Sequence, residues 1–355
     1  MSFTSEKRDA IKKYLLEKIR RDDPAAVSKT VENFEISATT VQRYIQDFLQ
    51  ENIVEKSEEK SCGYELVTKI QEWTFVNDGL LEEDNIYYDT IKPYLEAVSD
   101  NAQNIWEYCF AEIMNNAIEH SGGDKIQCCL CRDYLYTEIS IRDNGIGIFR
   151  NICKYFHDKK IPMKEEQAAM ELYKGKLTTD TTGHSGEGIF FTSKCLESMA
   201  IWSDDIVYRY HCSEEDTMVQ SHLVKYYTQF YEIGTLAIMR LENDTIRTTK
   251  EIFDIFAPIE EGFIKTLIPV KEMCPFGNPV ARSQARRILR RLEEFQEIIF
   301  DFRDVEILGQ GFADEVFRVF QNRYPEIVLT VQNANKSVQG MIRHVSGGRN
   351  KTYPL

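Results

Sequence analysis

Residues 141–148 read IRDNGIGI, and residues 182–190 read TGHSGEGIF. The first stretch closes the run YLYTEISIRDNG, in which apolar and polar side chains alternate. Alternation is the two-residue period of a strand, so the pattern predicts a strand that ends at Asp143 in a glycine turn. Gly145 and Gly147 carry no side chain and let the backbone approach a flat ligand closely. Asp143 is placed to accept a hydrogen bond from an exocyclic amine. The second stretch is a glycine loop, with Gly183, Gly186 and Gly188, feeding the helical run GIFFTSKCLESMA. Free N–H groups at a helix start suit phosphate oxygens. Taken singly, either stretch also reads as a tight turn in a globular enzyme.

Working outward, residues 104–120 read NIWEYCFAEIMNNAIEH. Ile105, Trp106, Cys109, Phe110, Ile113, Met114 and Ala117 fall on one broad helix face. Glu112, Asn116 and His120 recur at four-residue steps and line one stripe. A carboxylate and an amide on a mostly buried helix are costly unless something uses them. Further on, YEIGTLAIMRL predicts a strand entered by Gly234 and Thr235.

The composition sets limits. The chain of 355 residues carries a net charge of −14, and its length predicts two or three domains. A global field of that sign does not draw in nucleic acid, so any DNA contact must be local. No apolar run reaches the ~18 residues of a membrane helix. The charged start MSFTSEKRDAIKKYLLEKIRRDD lacks the apolar block of a signal peptide. The expectation is a cytoplasmic protein with no membrane contact. Nine cysteines are irregularly spaced. Cys128, Cys129 and Cys131 lack a second ligand pair at zinc spacing, and they read as reduced cysteines of a strand.

Toward the N-terminus, three helical stretches precede two short extended segments with a charged tip. Ile11, Leu15 and Ile19 set the first helix; Val41, Tyr44, Ile45, Phe48 and Leu49 set the third, with Ser37 as N-cap. Residues 1–67 thus resemble a winged helix-turn-helix, with Ser37, Thr39, Thr40, Gln42, Arg43 and Gln46 facing outward. That resemblance implies DNA binding through Thr39, Thr40, Gln42 and Arg43. The tip EKSEEK is a poor phosphate binder, and the alternative use is protein docking or dimerisation.

In order and spacing, the E-I-M-N-N-A-I-E-H, D-N-G-I-G-I, G-H-S-G-E-G-I and G-T pieces resemble the GHKL ATPase superfamily. The resemblance implies that residues 68–248 form this module, an α/β sandwich. The chain has no G-x-x-x-x-G-K-[ST], so it is not a P-loop protein. The resemblance implies ATP and Mg²⁺ as cofactors. Asp143 would read the adenine amine, with Thr235 behind it through water, and Gly145 and Gly147 would line that site. Asn116 would hold Mg²⁺. Gly183, Gly186 and Gly188 would wrap the phosphates, and Glu112 would orient or deprotonate the attacking water. The interval between the glycine boxes would be a mobile lid, with Lys174 and Lys176 near its end in solvent. Residues 68–111 contain no histidine, which argues against a two-component kinase.

Residues 249–343 resemble a STAS-like domain of unknown function that follows some ATPase domains, through EIIFDFRDVEIL and GQGFADEVF. Where STAS regulators carry a phosphorylated serine pair, this chain has Gln310 and Gly311. The arginines Arg282, Arg286, Arg287, Arg290 and Arg291 form either an anion-binding face or a solvated helix side paired with the following LEE. Residues 344–355 read as a loose tail. The chain is therefore expected to be a multidomain α+β protein: winged helix, GHKL module, STAS-like module. Its expected function is a nucleotide-gated transcriptional regulator with slow ATPase activity, a homodimer at least when ATP is bound. The alternative is an ATP-driven switch or an anti-sigma-like serine kinase acting on a regulatory protein partner.

Overall fold

The computed structural model describes residues 3–176, 187–211, 234–274 and 277–346. Gly183 and Gly186 lie outside the described residues, as do residues 347–355 of the expected tail. The architecture is mixed α/β with several sheets.

The N-terminal module has helices α1 (Ser5–Arg20), α2 (Ala26–Phe34) and α3 (Ala38–Gln50), then an antiparallel hairpin of β1 (Val54–Lys56) and β2 (Tyr64–Leu66). Ser37 Oγ caps α3 by accepting from Thr40 N–H at 3.2 Å. Ile11, Leu15 and Ile19 of α1 meet Val41, Tyr44, Ile45 and Phe48 of α3 in a second apolar core, which Leu135 of the central module also enters. These are the apolar faces read from periodicity.

The central module is built on a six-stranded antiparallel sheet, formed by β3 (Lys69–Val76), β4 (Lys125–Arg132), β5 (Tyr136–Asp143), β6 (Ser198–Ser203), β7 (Ile206–Tyr210) and β8 (Leu236–Glu242). Their order is β3-β4-β5-β8-β6-β7. β8, the strand entered by Gly234–Thr235, therefore lies directly beside β5, the strand that ends at Asp143. Between β3 and β4 stand α4 (Glu83–Ile86), with two short irregular helical turns behind it, and the long α5 (Asp100–Asn115). Ser99 caps α5, whose apolar side chains from Ile105 to Met114 are buried as the pattern required. A wider π turn at Asn116–His120 follows. Between β5 and β6 lie α6 (Ile148–Asp158), α7 (Glu165–Lys174) and α8 (Gly188–Cys195).

Cys128, Cys129 and Cys131 sit buried in β4, and burial pushes the Cys129 thiol up to about 12. No group of three metal-ligating side chains occurs among the described residues. No helix among them is long and apolar enough to cross a membrane.

The C-terminal module has α9 (Thr249–Phe256), α10 (Arg282–Leu289), α11 (Gln310–Asp314, continued as a π turn at Glu315–Phe320) and α12 (Lys336–Val345). They surround a parallel sheet ordered β11 (Val328–Gln332), β10 (Glu297–Asp301), β9 (Lys265–Pro269). The segment EIIFDFRDVEIL is strand only over its first five residues. Asp301 ends it, because its carboxylate turns back to accept from Arg303 N–H at 2.9 Å and from the Asn333 and Gln332 amides. One continuous apolar core runs through the central and C-terminal modules, from Ile86 to Ile342.

The N-terminal module is fastened to the sheet by polar contacts. Arg20 reaches Asp133 at 3.0 Å and Glu138 at 3.1 Å. The Arg20 and Arg240 guanidinium groups both lie over the Tyr136 ring, at 4.7 and 4.2 Å. Lys13 pairs with Glu242 at 2.8 Å.

Candidate functional site

The turn after β5 organises the site. Asp143 is 4% exposed, and its Oδ1 accepts from Gly145 N–H at 2.8 Å and Thr235 N–H at 3.3 Å. Both backbone bonds go to Oδ1, and the Thr235 side chain also hydrogen-bonds the carboxylate. Burial pushes the Asp143 carboxyl above its ordinary value, and the backbone bonds work against that rise. Gly147 has φ +88°, a region that disfavours any β-carbon, and one there would also strike Ser203 Oγ. The chain then turns into α6, whose first N–H, from Ile148, donates to Thr235 Oγ1 at 3.0 Å. Thr235 thus touches both the acid and the helix.

In front of Asp143 and Thr235 lies a small recess of about 50 Å³. Asn116, Ala117 and His120 line it from the helix side, Ile141, Ile201 and Ala237 from the sheet, and Ile148, Asn151 and Ile189 from α6 and α8. Its walls are mainly apolar with few polar groups, which is the make-up of small-molecule sites. Asn116 Nδ2 donates to the Glu112 carbonyl at 2.7 Å, which turns Oδ1 away from its own helix.

Of the residues singled out from sequence, Asn116, Asp143 and Thr235 come together in this recess, although 119 positions separate the first from the last. Gly145 and Gly147 form the turn beneath it. Glu112 does not line it. Its carboxylate stands against the start of α8, where a β-carbon on Gly188 would land on Glu112 Oε2. Glu112 stands one regular α-helical turn before Asn116, on the part of α5 that faces the start of α8 rather than the recess. His120 and Asn116 enter the recess and Glu112 stays outside its lining. Sequence reasoning missed Asn151, whose amide donates to the His120 carbonyl at 3.2 Å. It also missed Ile148 and Ile189, which carry no polar signal. Both directly follow a site glycine, and that adjacency was the available cue.

Two expectations are corrected. Lys174 is not in solvent: it is 3% exposed, pairs with Glu171 at 2.6 Å and donates to the Arg290 carbonyl at 2.8 Å. Lys176 donates to the Glu294 carbonyl at 3.0 Å and lies over the Phe295 ring. Both lysines bind the C-terminal module. Thr40, expected outward, is half-buried with its hydroxyl 2.9 Å from Ser37 Oγ in the helix cap. Thr39, Gln42, Arg43 and Gln46 are exposed.

The arginines of 282–291 divide their roles. Arg282 and Arg286 pair with Asp314 and Glu315 across the module, at 2.7 and 2.8 Å, while Arg291 pairs with Glu294 of the following LEE at 3.3 Å. Gln310 and Gly311 open α11, packed on the 279–282 segment through the Phe312 N–H bond to the Val280 carbonyl.

A family model described as a STAS-like domain of unknown function (DUF4325) matches residues 284–339. That span runs from α10 into α12 and holds the paired strands β10 and β11, while β9 lies before it. No curated protein matches the chain.

Proposed function

We propose that the chain is an ATP-binding regulator with a GHKL-type nucleotide site, in which the recess takes the adenine. The observation that carries this reading is the meeting of Asn116, Asp143 and Thr235, one from each of three separated motifs, in one mainly apolar recess. Asp143 Oδ2 accepts the exocyclic amine, and Thr235 holds both the carboxylate and the start of α6. Ile113, Ile141 and Ile148 give flat apolar walls to a ring.

The chemistry of the donors fits Mg²⁺ in one way. Asn116 supplies a single hard oxygen, so phosphate oxygens and water must complete the shell, as is usual for this ion. Bound there, Mg²⁺ would neutralise phosphate charge. Glu112 of α5, whose carboxylate stands against the start of α8, is the group to orient or deprotonate water for a slow hydrolysis.

In this reading residues 1–67 are a winged helix whose Thr39, Gln42 and Arg43 meet DNA, and ATP favours a homodimer that sets two such helices in fixed relation. The acidic tip around Glu58 and Glu59 supports the second reading, in which this module docks a protein partner instead. The test is calorimetry of the full chain with ATP·Mg²⁺ and ADP, paired with light scattering. Binding and a rise in mass with ATP are expected. No heat of binding with either nucleotide refutes the site.

A further inference from the structure

Two of the helices that wall the recess end on the C-terminal module. α6 starts at the recess, with Ile148 bonded to Thr235 and Asn151 to the His120 carbonyl. Near its other end Phe156 is buried, with its ring 5.8 Å from the Arg291 guanidinium. α8 starts against Glu112 and places Ile189 in the recess. Its next side chains enter an aromatic group of the C-terminal module. Phe191 stacks on Phe253 at 4.3 Å, and Phe190 lies 4.9 Å from Phe263.

Arg291 meets the α6 path directly at Phe156 and the α8 path through Lys176, whose ammonium lies over the Phe263 ring at 5.7 Å. Its guanidinium donates to the Lys176 carbonyl and reaches Glu171 Oε2 at 3.4 Å. Beside it Lys174 is held by Glu171 and the Arg290 carbonyl, and Thr266 Oγ1 donates to the Lys174 carbonyl at 2.9 Å. An ammonium buried with one carboxylate tolerates no drift. Shifting α7 from residues 290–291 leaves Lys174 its helix neighbour Glu171 but takes the Arg290 carbonyl from the ammonium and Arg291 from the Glu171 carboxylate, and a buried charged group that loses a hydrogen-bond partner is costly. Arg291 itself has a left-handed backbone at φ +64°, uncommon for a residue with a side chain. Such contacts favour discrete arrangements over continuous sliding.

We infer that the C-terminal module is the regulatory input of the nucleotide recess, with Arg291 the positioning residue that couples them. This rests on the nucleotide reading above. Whatever shifts residues 290–295 moves the far ends of α6 and α8, and so the recess walls at Ile148, Asn151 and Ile189. Linkage makes the effect reciprocal: nucleotide must alter the C-terminal module by the same factor.

The experiment uses the full chain, wild type and Arg291→Ala and Arg291→Lys. Calorimetry with ATP·Mg²⁺ and with ADP measures affinity, and hydrogen exchange follows residues 282–301 with and without nucleotide. Arg291→Ala is expected to change ATP affinity by roughly tenfold, within the usual range of allosteric coupling. It should change the ATP-to-ADP ratio, which mere loosening of the fold would leave alone. Arg291→Lys should recover part of the effect. In the wild type, nucleotide should slow exchange in 282–301. A folded Arg291→Ala protein with unchanged affinities and an unchanged exchange response overturns the inference. If that variant does not fold, the wild type decides, and exchange at 282–301 indifferent to bound nucleotide overturns it equally. A wild type that binds no nucleotide is a different result, and it removes the recess reading first and the coupling with it.

Discussion

Replacing Asp143 by Asn changes one atom of the side chain and divides its two functions. Asp143 Oδ1 accepts from the backbone of Gly145 and Thr235, and the carbonyl oxygen of the substituted amide can accept both bonds in its place. The amide nitrogen must then occupy the Oδ2 position and face the recess as a donor. An adenine amine approaching it meets donor against donor. Losing a hydrogen bond to a charged acceptor costs about 1.5–3 kcal/mol, so Kd for ATP should rise roughly 10- to 150-fold. Stability should move the other way. Burial raises the Asp143 carboxyl in the folded protein, so folding disfavours the ionised form, and the carboxylate is a cost at neutral pH that fades as pH falls through the folded value. A neutral isostere removes that cost. The Asn variant should therefore melt at the wild-type temperature or above while binding ATP more weakly. Calorimetry and a thermal scan at neutral pH measure the two. Unchanged affinity in a folded variant refutes the base-reading role of Asp143, and a sharp fall in melting temperature shows the carboxylate to be structural instead.

Glu112→Ala should abolish phosphate release and leave ATP affinity within a few fold, because Glu112 stands outside the recess lining; undiminished turnover assigns the base elsewhere. Incubation with γ-labelled ATP and peptide mapping should find no label at residues 306–314, where Gln310 and Gly311 offer no hydroxyl. Lys194 is 4% exposed, under the Tyr210 ring at 3.9 Å, and burial lowers its ammonium to about 7. Its folded value is depressed, so the unfolded chain binds the extra proton between about 7 and its ordinary 10.5, and wild-type stability should climb across that window. Lys194→Met should be the more stable protein below that window, and its advantage should shrink toward the upper end of it. Denaturant titrations at both ends check this, and an advantage that does not vary with pH sinks it.

Near-neighbour chemistry was legible in the sequence. The cap at Ser37, the apolar face of α5, the alternation that ends β5 at Asp143 and the buried cysteines of β4 all depend on residues within a turn or two. Periodicity records such contacts because one face of an element must lose water. The recess was legible as separate motifs. That Asn116, Asp143 and Thr235 share one space follows only from β8 pairing with β5 and from the end of α5 packing over β5. The docking of elements decided the rest. Lys174 read as a solvated lysine because its partners, Glu171 aside, lie at Arg290 and Thr266, about a hundred residues away. Arg291 looked like part of a charged helix side because Lys176 and Glu171 are equally distant in sequence. Glu112 fell outside the recess because α8 docks against its turn of α5, a contact with Gly188 that periodicity along one helix does not record. A charged side chain shows in the sequence only its own cost of burial. Whether that cost is met depends on which distant carbonyl or carboxylate the folded chain brings beside it.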